Sequence, residues 1–182
     1  RVVVGARTMA PSGSQGGGGG GQGDRGLNFN DGGGGATFQL VDALTLSGNF
    51  TRTSGAFSAN NQAVIFNDAT KTSTITGVTT FYDLKSVTQD KTIVFPDAGP
   101  TTISHKLILE GASGHNIILK SSAAGTDGQK NGNEAELVVA DIDDAQGNDY
   151  GEYVTVYDND ASGAKAPVPV QNATNGGNNT GW

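Results

Sequence analysis

The chain has 182 residues, enough for one domain with a continuous core and too few for two full ones. Gly supplies 29 residues and charged side chains only 16%, which argues against a large helical protein, because glycine-rich, Lys/Glu-poor chains make poor helices. The net charge of −7 removes the counterion-release drive for DNA or RNA binding, and the absence of Cys excludes disulfides, thiolate zinc sites and a Cys nucleophile.

Residues 1–10 hold one β-branched burst, Val2–Val4, and read as an N-terminal strand. Residues 11–35 are a Gly-rich tract with a run of six glycines, interrupted by Leu27 and Phe29. Poly-Gly loses the most backbone entropy on ordering and has nothing to bury, so the tract reads as a linker. The chain starts at Arg1 rather than Met, as a processed product or a fragment does, and any leader lies outside the sequence. No stretch of 18 apolar residues is present, so no membrane span is expected.

From Ala36 to Trp182 short apolar pairs recur with period two, bounded by Gly, Asn, Asp, Ser or Thr. That pattern predicts many brief strands, each with one buried face. The expected inner face carries Leu44, Leu46, Phe66, Phe81, Ile93, Phe95, Leu107, Leu109, Ile117, Leu119, Leu137 and Val156. Phe81, Leu84 and Val87 have helix-like spacing, but Thr79, Thr80 and Tyr82 beside them favour a strand.

Two all-β architectures compete, an antiparallel β-sandwich and a parallel β-solenoid (β-helix). Hairpin dipeptides are scarce, and the single Asn131–Gly132 lies in a polar loop. The segments beginning at Thr79, His105 and Ala135 look alike at offsets of 26 and 30 residues, which suits solenoid rungs. A fainter echo links Asp143 and Asn159, 16 residues apart. The solenoid is preferred.

The segments ALTLSGNFTRTSGAFSANNQAVIFND, STITGVTTFYDLKSV, KTIVFPDAG, KLILEGASGHNIILKSS, DNDASG and NATNGGNNTGW follow one another between Ala36 and Trp182. In this order they resemble the repeat modules of large secreted bacterial surface proteins, of the filamentous-haemagglutinin or autotransporter-passenger kind. The resemblance implies a right-handed parallel β-helix outside the cell or on its surface, and no catalytic residue. The polar stretch from Gly128 to Glu152 departs from the pattern as an insertion, and the Gly-rich head lies outside it.

Several features invite chemistry. Gly21, Gly23 and Gly26 fit a dinucleotide fingerprint, but no Lys-Ser/Thr and no helix follow, and a six-glycine run yields the match by chance. His105, His115 and the pair Asp143–Asp144 evoke acid/base catalysis on polysaccharides, yet no Arg occurs beyond Arg52 to clamp developing charge. The expectation is two surface histidines and no enzyme. Between Glu134 and Asp160 stand nine carboxylates and no Lys or Arg. Asp141, Asp143, Asp144, Asp158 and Asp160 are candidate calcium ligands, the alternative being that these Asp residues cap turns. Asn49, Asn172 and Asn178 head glycosylation sequons. Tyr150, Tyr153 and Tyr157 can form an aromatic platform for sugar or lie half-buried on a sheet.

The expected function is that of a non-enzymatic extracellular structural or adhesive protein, the subunit of a fibre. Its partners would be copies of itself, through strand exchange by Val2, Val3 and Val4, and a surface polysaccharide. The alternative is a carbohydrate-binding or carbohydrate-cleaving β-helix. No cofactor other than calcium is expected.

Overall fold

The computed structural model describes residues 2–4, 26–70, 72–123 and 134–182, with Val2–Val4 as backbone only. Among these residues there is no helix, and the strands wind into about six coils of a parallel β-solenoid. β1 (Val2–Val4) precedes the coils. The first coil is β2 (Leu27–Phe29), β3 (Thr37–Leu40) and β4 (Leu44–Leu46). The second is β5 (Phe50–Arg52), β6 (Ala56–Ser58) and β7 (Ala63–Phe66). The third is β8 (Thr72–Thr76) and β9 (Thr79–Ser86), and the fourth is β10 (Thr92–Phe95) and β11 (Thr101–Leu109). The fifth holds β12 (Ile117–Ser121), β13 (Ala135–Val139), β14 (Ile142–Asp143) and β15 (Gly151–Glu152). The sixth holds β16 (Val154–Tyr157), β17 (Asn159–Ser162) and β18 (Val170–Gln171), and β19 (Thr174–Gly177) starts another turn.

Strands stack on their counterparts in the next coil, and every strand pairing is parallel, which rules out the sandwich. One face runs β2, β5, β8, β10, β12, β16, β19. On a second, β1, β3 and β6 form a short sheet; a third sheet joins β4, β7, β9, β11, β13 and β17, with β14 beside β11, and β15 pairs with β18. The third sheet turns a corner inside β9 and β11. Thr79 pairs with Thr101 and Thr101 with Leu137, whereas Leu84 pairs with Val64 and Leu107. In β9 the in/out alternation slips at Tyr82 and Asp83, so the corner explains the helix-like spacing of Phe81 and Leu84.

The inner side chains meet their neighbours one coil away. Eleven of the twelve expected inner-face residues are buried; Leu44 is half-buried against the core. Each such burial contributes about 1.5–3 kcal/mol before entropy is counted. At the N-terminal coils the core is aromatic: Phe29, Phe38, Phe50, Phe57 and Phe81 pack with ring centroids 5.0–6.0 Å apart. Further on it is aliphatic, as in the stack Ile93, Leu119, Val156.

Three expectations from sequence need correction. Composition assigns Leu27 and Phe29 to the linker, but they form β2, paired with Phe50 and Arg52, because Phe29 completes the aromatic cluster. The offsets of 26 and 30 residues pick out strands that do stack, but not their register. Leu84 meets Leu107 at a step of 23 and Thr101 meets Leu137 at a step of 36, since β11 begins four residues before the look-alike segment. The Asp143–Asn159 echo does not stack: Asp143 lies beside Ile108, and Asn159 beside Ala135.

Candidate functional site

A groove of about 520 Å³ crosses the outside of the β2–β19 face at its C-terminal end. Its floor follows from strand register. Ile118 of β12, Thr155 of β16 and Thr174 of β19 stand side by side and point outward, while Ile117, Leu119 and Val154 alternate inward. Its wall is the corner just before these strands: Asp90, Gly114, Asn116, Tyr153 and Asn172. Asp90, Tyr153 and Asn172 all have positive φ, of 60°, 50° and 50°. Asp and Asn tolerate the left-handed region by bonding locally, whereas for a bulky residue such as Tyr it is strained. The ladder enforces it: the Tyr153 N–H donates to the Gln171 carbonyl at 3.0 Å, and its own carbonyl accepts the Ile117 N–H at 3.0 Å.

Tyr157 closes the other side and is 37% exposed. Its ring lies against β19 so closely that a Cβ on Gly176 would stand 2.2 Å from Tyr157 Cδ1. Asn116 Nδ2 donates to Thr155 Oγ1 at 2.9 Å, and Asn172 Nδ2 donates to Glu152 Oε1 at 3.0 Å. On the rim His115 Nδ1 pairs with Asp90 Oδ2 at 2.8 Å, both side chains more than half exposed. The groove therefore offers two phenol rings, amides and hydroxyls, with its charge mainly carboxylate.

The acidic stretch divides. Asp141, Asp143 and Asp149 bring carboxylate oxygens within 4.8 Å of one another, but two ammonium groups share the space. Lys106 Nζ bonds Asp143 Oδ2, and Lys165 Nζ lies 2.7 Å from Asp141 Oδ1 and 3.9 Å from Asp149 Oδ1. The hydrogen bond from Lys165 holds the Asp141 carboxyl below its ordinary pKa despite partial desolvation. The same contact raises Lys165, and the bond to Asp143 raises Lys106. Asp143 Oδ1 is buried and finds no partner among the described residues. The two lysines lie outside the acidic run in sequence, so the run alone could not reveal its own neutralisation.

The other calcium candidates lie apart from that cluster. Asp144 shapes a turn: its Oδ1 accepts the N–H groups of Gln146 and Asn148, both at 2.9 Å, and Asn148 Nδ2 donates to its Oδ2 at 2.6 Å. Burial pushes its pKa up, but these bonds outweigh it and the net shift is downward. Asp158 Oδ1 accepts from Asn178 Nδ2 at 2.7 Å. Asp160 sits on β17 and pairs through its backbone with Thr180. The contacts of Asp144 are those of the turn-capping alternative, whereas Asp158 bonds an asparagine of the neighbouring coil.

His105 Nδ1 pairs with Asp83 Oδ1 at 2.7 Å while its ring stacks on Tyr82 at 4.4 Å. Of the sequon residues, Asn49 accepts the Thr74 N–H at 2.9 Å, and Asn172 and Asn178 have their amide nitrogens engaged as described. The tyrosine trio separates. Tyr153 and Tyr157 share the groove, and Tyr150 lies in the Asp144 turn, where burial and then the charges of Asp144, Glu152 and Glu110 raise its pKa. Asp90 and Thr174 carry no motif; only the register places them in the groove. Val2–Val4 pairs in parallel with Phe38–Leu40 of its own chain. No helix in the described residues is long and apolar enough to cross a membrane. A scan against protein-family models found no match, and searches of curated proteins and of solved structures found none either.

Proposed function

We propose that the chain is a non-enzymatic structural or adhesive module of an extracellular or cell-surface protein, able to assemble head to tail by exchanging its N-terminal strand. The observation that supports this best is β1. It lies outermost on its face, joined to the solenoid by the Val2–Phe38, Val3–Gln39 and Val4–Leu40 register. A neighbouring copy's strand can make the same pairing, since exchange reuses an interface that already fits.

β19 is the last strand of its face, with its outer edge unpaired among the described residues. Beside it, a cavity of about 460 Å³ is lined by Val156, Val170 and Trp182 together with Asn and Thr side chains. An edge of this kind can take a further strand, whether from sequence beyond Trp182 or from a second copy. The extracellular placement rests on the resemblance of residues 36–182 to bacterial surface-protein modules.

Sedimentation and negative-stain microscopy of the full chain and of a variant lacking Arg1–Ala10 test the proposal. Elongated oligomers that grow with concentration and vanish on deletion are expected. Oligomers that persist unchanged would refute strand exchange, and a full chain that stays monomeric at high concentration would refute self-assembly.

A further inference from the structure

The groove over β12, β16 and β19 has a definite chemistry, and it does not depend on whether copies assemble. It spans four successive turns at one corner, from Asp90 through Asn116 and Tyr153 to Asn172. Neighbouring coils are about 4.8 Å apart, so the corner presents a similar set of groups at regular steps along the axis. A linear polysaccharide also repeats at regular steps, of closely similar length. Binding sites of this kind combine aromatic faces with a few placed polar groups. Here Tyr153 and Tyr157 supply rings with an apolar body and a hydroxyl tip, and Asn116, Thr155, Asn172 and Thr174 supply neutral donors and acceptors.

Charge narrows the ligand. Asp90 is in the lining and Glu152 holds Asn172, while His115 on the rim is already paired with Asp90. A sulfated or uronic-acid chain would meet carboxylates, so the groove favours an uncharged one. The backbone adds an independent observation. Tyr153 occupies the same left-handed corner position as Asp90 and Asn172, where Asn is the cheaper residue. A tyrosine held there at a conformational cost points to a use for its side chain. We propose that this groove binds a neutral, extended polysaccharide, with Tyr153 and Tyr157 against the sugar faces and the amides and hydroxyls on the ring hydroxyl groups.

Affinity electrophoresis of the full chain through gels containing hydroxyethylcellulose, galactomannan or heparin tests this, with thermal melts alongside. The wild type should be retarded by at least one neutral polymer and not by heparin. Tyr153→Asn should weaken retardation roughly tenfold, the usual effect of losing an aromatic anchor, yet melt no lower than wild type because the strain is relieved. Thr174→Arg, at an exposed position, should block the groove without disturbing the core. No retardation by either neutral polymer, retardation by heparin alone, or unchanged retardation of both variants would overturn the proposal.

Discussion

Lys91 lies wholly inside the solenoid and donates from Nζ to Ser73 Oγ one coil away at 2.7 Å. The same nitrogen bonds the Asp68 carbonyl at 2.9 Å and stands 5.9 Å from the centre of the Phe66 ring. A buried ammonium is tolerated only when its hydrogens are engaged, and here it ties the third coil to the fourth. Lys91→Ala leaves a cavity and removes the bonds to Ser73 and Asp68, and should cost about 2–5 kcal/mol in urea unfolding. Lys91→Met refills the volume and should cost clearly less. An alanine variant within about 0.5 kcal/mol of wild type, the range of ordinary surface changes, would contradict this role.

Gly77 and Gly114 separate two effects of a left-handed residue. Both have positive φ, 88° and 78°, but a Cβ at Gly77 would stand 2.4 Å from the Arg52 carbonyl oxygen, while one at Gly114 meets nothing within 4 Å. Gly114→Ala should cost about 1–2 kcal/mol, the conformational part alone. Gly77→Ala adds a backbone clash between coils and should lower the unfolding midpoint well beyond that. Equal midpoints for the two variants would show that the contact is not constraining.

Stability should respond to acid before base. Asp141 is lowered by Lys165, Asp31 by the Ser54 hydroxyl, and Asp144 by Asn148 and nearby N–H groups against its burial. A depressed carboxylate contributes stability above its unfolded pKa of 3.8, and this is lost as pH falls through the lower folded value. Lys106 and Lys165 are raised, so their contribution is complete below the unfolded value of 10.5 and fades only as pH rises through the higher folded one. Thermal melts across pH should therefore be flat between about 5 and 10, with a fall below about 4. A steady decline between pH 5 and 8 would point to other groups.

Calcium should change little while both lysines are in place. Lys106 and Lys165 occupy the Asp141, Asp143 and Asp149 cluster that a cation would need. Replacing chelator by millimolar calcium should leave the wild-type melting temperature unchanged within error. Lys165→Met frees Asp141 and Asp149 and should make the melt calcium-dependent, because calcium takes clustered carboxylate oxygens. A large calcium shift in the wild type would mean that the ion displaces the lysines.

What the sequence determined by itself was the class of structure and most of its interior. Period-two alternation is a local property of a pleated strand, so Phe66, Phe81, Ile93, Leu119 and Leu137 were legible as inward-facing without knowledge of any partner. Scarce hairpin signals likewise separated parallel coils from a sandwich. Tertiary structure decided the register, because steps between stacked residues vary from 19 at Thr37 and Ala56 to 37 at Ile117 and Val154, and corners absorb the difference. That register made Leu27 and Phe29 a strand, sent Lys91 inside and brought Lys106 and Lys165 onto the acidic run. It also gathered Asp90, Asn116, Tyr153 and Thr174 into one groove. These groups are separated by a coil or more along the chain, and only the stacking of coils about 4.8 Å apart makes them neighbours.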